Sequence, residues 1–75
     1  MEKNLMIKIL LGMYHIMICK NEEDAEEIFR IVRKKLIDEF SGRVSVRSMD
    51  KIKALLTMTL SIMRTIFRDS KKRGV

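Results

Sequence analysis

The sequence predicts an all-α domain of three helices, completed as an intertwined or side-by-side homodimer. Three observations lead there: apolar residues recur at helical spacing in three successive segments, cap signals separate those segments, and 75 residues with no proline leave room for one small core. Apolar residues make up 47% of the chain and charged residues 35%, which gives it both a core and a solvated surface and sets it apart from disordered chains. A single core of this size contributes only a few kcal/mol of net stability unless something completes it. Cys19 is the sole cysteine and His15 the sole histidine, so neither an intrachain disulfide nor a zinc site is expected to do so. Oligomerisation is the remaining common device. A lone thiol also fits a cytoplasmic setting.

The first helix is expected at residues 3–19. Its segment LMIKILLGMYHIMIC is broken only by Lys8, Gly12 and His15. The run is shorter than the roughly 20 apolar residues a spanning helix needs, and no small-residue cleavage site follows it, so neither a membrane span nor a secretory signal is expected. Apolar residues occupy every face, and such a helix must be covered nearly all round. A second subunit is the expected cover, with Ile9, Gly12, Met13 and Ile16 as the dimer interface. A buried hairpin over the same run, giving an α+β domain with a short N-terminal hairpin, is the alternative that its isoleucines and Tyr14 keep open.

The second helix is expected at residues 22–40. Asn21 is a favourable N-cap, and Glu22, Glu23 and Asp24 sit where the helix dipole is positive. Ala25, Ile28, Phe29, Val32, Leu36 and Phe40 mark one face. The opposite face pairs with itself at i,i+4 through Glu26 and Arg30, Lys34 and Asp38, Lys35 and Glu39. Gly42 supplies a left-handed end to the helix.

A connector is expected at residues 41–48, holding the alternating segment RVSVR, which reads as an extended link or as a short strand that pairs with its symmetry mate. The third helix is expected at residues 49–69, capped by Ser48, with a basic tail at 70–75. Its apolar residues cover half the circumference or more, which implies contact with more than one neighbour. The remaining strip holds Asp50, Lys53, Thr57, Ser61, Arg64, Arg68 and Lys71, in which the cations outnumber the single acid.

Charge is segregated along the chain: residues 1–19 carry +1, residues 20–42 carry −2 and residues 43–75 carry +7. Cations spaced along one helical face beside hydroxyls suit phosphate recognition. The expected function is therefore regulatory or architectural binding of duplex DNA, with Lys53, Arg64, Arg68 and Lys71 as phosphate contacts and Arg43 and Arg47 at the edge of the site. Aromatic residues for stacking single-stranded bases are few. The alternative is a protein interaction module or inhibitor that works through a methionine-rich apolar surface, since the chain holds seven methionines. His15 and Cys19 are four residues apart, but with Ile16, Met17 and Ile18 around them they lack an orienting group and a polar pocket. No phosphate-cradling loop or paired metal motif occurs. No enzyme activity, cofactor or metal is expected.

Overall fold

The computed structural model describes residues 3–72, and side chains through Ser70. Three helices, α1 (Lys3–Met17), α2 (Glu22–Phe40) and α3 (Val46–Lys72), pack pairwise against one another. The first segment is a helix, and no strand occurs among the described residues.

Each boundary has a local cause. α1 stops two residues before the expected end, where Cys19 N–H turns back to the Ile16 carbonyl and Asn21 adopts the extended backbone of an N-cap. The Asn21 side chain accepts from Asp24 N–H at 2.8 Å and donates to the Asp24 carboxylate at 3.1 Å, a reciprocal cap that fixes the start of α2. α2 ends as expected, with Gly42 at φ 79°, a conformation that favours glycine over any residue with a Cβ. The third helix begins earlier than expected. Ser45, not Ser48, is its cap: the Ser45 hydroxyl accepts from Ser48 N–H at 3.1 Å. Val46 and Arg47 therefore lie in the first turn of α3, and the connector shrinks to residues 41–45. Val44 tucks against the core while Val46 stays 80% exposed, so the alternation of RVSVR marks a turn and a helix start. Residues 70–72 continue α3, and the rest of the basic tail lies outside the described residues.

The core draws on all three helices. Leu5, Ile9 and Ile16 of α1 meet Ala25, Leu36 and Phe40 of α2 and Ile52, Leu56, Leu60 and Met63 of α3. Thr59 is also buried, and its hydroxyl donates to the Leu55 carbonyl at 2.9 Å, which removes the cost of an unpaired polar group. Gly12 lets α1 approach α2 closely: a Cβ there would stand 2.6 Å from Cγ1 of Val32 and 3.4 Å from Cδ1 of Leu36.

This placement bears on the four residues expected at a dimer interface. Ile9, Gly12 and Ile16 are buried by the chain's own helices, and Met13 is half-buried against the same core. The cause is geometric. α2 and α3 approach α1 from adjacent sides, and these four residues fall on the side between them.

The contact at Gly12 yields a prediction. Alanine has the better helix propensity by about 1 kcal/mol, but Val32 is β-branched and stiff in a helix, so the overlap outweighs that gain. Gly12→Ala should destabilise the domain by about 1 kcal/mol in urea denaturation at fixed protein concentration. In a Val32→Ala background the same change should be neutral or stabilising, and an equal loss in both backgrounds would contradict the contact.

Candidate interaction surfaces

Two kinds of surface emerge from this packing, one charged and one apolar. The charged one is set by where the acids of α2 go. Glu26 accepts from the Arg64 guanidinium at 2.5 and 3.1 Å, and Glu22 lies 3.4 Å from Arg68 and 3.8 Å from Arg64. Glu39 pairs with Lys8. These are bonds between helices, whereas the sequence pattern suggested pairs within α2. Arg30 and Lys35 make no ion pair with Glu26 and Glu39, which are engaged across the bundle, and Lys34 makes none with Asp38.

The expected phosphate contacts are divided by this arrangement. Arg64 and Arg68 lie along the α2–α3 seam, partly neutralised by Glu22 and Glu26. Lys53 is half-buried, and Arg43 and Arg47 are exposed. None of these three has a salt-bridge partner among the described residues. The side chain of Lys71 lies outside the described residues. Lys53 thus stands apart from the two arginines in charge environment although all three share one side of α3. The cations of the middle of α2, Arg30, Arg33 and Lys34, are exposed and likewise lack a described ion-pair partner. Sequence reasoning assigned Arg30 and Lys34 to a self-paired face. The signal that could have found them was the choice open to each α2 acid between a neighbour four residues away and an arginine across the bundle.

The apolar surface lies on the other flank. Lys8 and Gly12 of α1 face α2, as do Arg64 and Arg68 of α3. At about 100° per residue, the opposite flanks of the two helices carry Met6, Leu10 and Met17 on α1 and Leu55, Met58, Ile62 and Ile66 on α3. Their exposure runs from 40% at Leu55 to 60% at Leu10. α1 and α3 pack directly against each other, so the two rows form one face. No charged residue interrupts its centre.

A separate cleft of about 710 Å³ runs between α1 and α2, floored by Gly12, Val32 and Leu36 and edged by Leu11, Ile31 and Lys35. Its lining also includes His15, Cys19 and Asp24. The Cys19 thiol donates to the backbone carbonyl of His15 at 3.2 Å and not to its ring. Burial pushes that thiol above its ordinary pKa, and the nearby Asp24 carboxylate adds to the shift, which disfavours the nucleophilic thiolate. Among the described residues no group of three His, Cys, Asp or Glu side chains could hold a metal ion, and no helix is long and apolar enough to cross a membrane.

Comparison with protein-family models, curated proteins and solved structures finds no match for this chain.

Proposed function

We propose that this chain is a helical interaction module whose working surface is the apolar face across α1 and α3, and that it acts as a homodimer. The observation that supports this reading is the extent of that face. Its seven large side chains are roughly half exposed, and a fully exposed large side chain presents roughly 150 to 200 Å², so together they offer about 600 Å². That equals or exceeds the largest apolar patch of a typical monomer and approaches the ~800 Å² that each partner buries in a standard interface. Methionine at Met6, Met17 and Met58 adds side chains that adapt to a partner's shape.

A second reading is favoured by a different observation. Arg30, Arg33, Lys34, Arg43, Arg47 and Lys53 have no ion-pair partner among the described residues, and they lie on α2, on the connector and near the start of α3. Such a set suits the phosphate backbone of duplex DNA, and a two-fold dimer would present it twice. In this reading the regulatory or architectural DNA contact centres on Lys53 with Arg43 and Arg47. Arg64 and Arg68 contribute less, because Glu22 and Glu26 compete for them.

Sedimentation equilibrium tests the first reading. The protein should sediment as a monomer–dimer equilibrium with a dissociation constant of roughly 10 μM, and Ile62→Asp should weaken association about a hundredfold while leaving helicity unchanged, since Ile62 is 51% exposed. A chain that stays monomeric at high concentration would contradict it. Fluorescence anisotropy of a labelled random-sequence duplex, titrated at low and moderate salt, tests the second. Replacing Arg30, Arg33 and Lys53 together by alanine should reduce the salt slope by roughly 3 and cost more affinity than Arg64→Ala with Arg68→Ala. Failure to bind even at low salt would remove the DNA reading.

A further inference from the structure

The apolar row on α3 has a regularity that names its partner. Along the flank away from α2, successive outward positions are Lys51, Leu55, Met58, Ile62, Thr65 and Asp69, at spacings of four, three, four, three and four. All six are exposed. That is the spacing of a coiled-coil seam. The row is also complementary to its own reversal. It has a cation at one end, an anion at the other and uncharged residues between.

We infer that a second copy of this chain covers this row, with the two α3 helices antiparallel and crossing at Leu60. This rests on the interaction-module reading and adds its partner and register. In this register Lys51 of each copy lies opposite Asp69 of the other, Leu55 opposite Thr65, and Met58 opposite Ile62, so that every position of the row meets a compatible one. Reciprocal pairing of this kind is what two-fold symmetry requires. Neither Lys51 nor Asp69 has a salt-bridge partner among the described residues of its own chain.

Competing registers fail on charge. A parallel pair would set Lys51 against Lys51 and Asp69 against Asp69. An antiparallel pair slipped by one heptad would press either Lys51 against Ile62 or Asp69 against Met58, placing a charge on apolar surface without a partner. The chosen register overlaps nearly the whole of α3, because its crossing point lies close to the middle of Val46–Lys72. On α1, the exposed Met6, Leu10 and Met17 lie beside the seam, which widens the interface beyond a two-stranded contact.

Disulfide trapping reads the register directly. In a Cys19→Ser background, Lys51→Cys with Asp69→Cys in one chain should yield a covalent dimer under mild oxidation. The two positions are roughly 27 Å apart along α3 at 1.5 Å rise per residue, too far to bridge within a chain. Each single cysteine variant should stay uncrosslinked. Self-crosslinking of the Lys51→Cys variant alone would overturn the antiparallel arrangement in favour of the parallel one. A double variant that sediments as a dimer but does not crosslink would place the interface elsewhere and overturn the register while leaving the dimer standing. A monomer in sedimentation would overturn both.

Discussion

In a three-helix bundle each helix has two neighbours, and together they cover about half its circumference. α1 carries apolar side chains well beyond that half. Leu5, Ile9 and Ile16 are buried between α2 and α3, while Met6, Leu10, Tyr14 and Met17 remain more than half exposed. α3 repeats the pattern, burying Ile52, Leu56, Leu60 and Met63 and leaving Met58 and Ile62 in solvent. In this packing the two neighbours of each helix cover one row and leave the other exposed. The functional reading of the molecule follows from that excess.

The ion pairs mark the flank that is occupied. Glu22 and Glu26 at the start of α2 hold Arg64 and Arg68 near the end of α3, and Glu39 at the end of α2 holds Lys8 near the start of α1. Being partly exposed, such pairs add little to stability individually. Their contribution is to orientation. The short connections at residues 18–21 and 41–45 align α2 antiparallel to both of its neighbours, and the pairs hold the charged sides of α1 and α3 against it. The apolar rows are thereby directed to the opposite side, where they join into one face. The same pairs lower the free positive charge at Arg64 and Arg68, and they leave the cations at the middle of α2 and at the start of α3 available to an anionic partner.

Much of the fold was legible in the sequence because local signals and periodicity agreed. Asn21 with Asp24, and Gly42 after Phe40, set the ends of α2. The 3.6-residue spacing of Ile52, Leu56, Leu60 and Met63 marked the buried side of α3. The start of α3 was misplaced because two serines three residues apart both qualify as caps, and the valine alternation around the first of them, at Val44 and Val46, imitates a strand. Only the structure distinguishes them, through the bond from Ser48 N–H to Ser45. The site was less legible. Charge pairing within α2 and pairing across the bundle use the same acids, so sequence spacing alone could not assign Glu26 to Arg64 over Arg30. The apolar residues of α1 posed a similar ambiguity: with every face apolar, nothing in the spacing separated the inward Ile9, Gly12 and Ile16 from the outward Met6, Leu10 and Met17.

The methionines provide the most direct probe of the claim that the α1–α3 face is covered by a second copy. Met6, Met17 and Met58 sit on that face, whereas Met63 is buried within the chain. Methionine-methyl NMR spectra recorded over a dilution series should show the resonances of Met6, Met17 and Met58 moving with concentration while that of Met63 stays in place. Methyl positions that do not change from micromolar to millimolar protein, in a chain that remains monomeric throughout, would contradict the account.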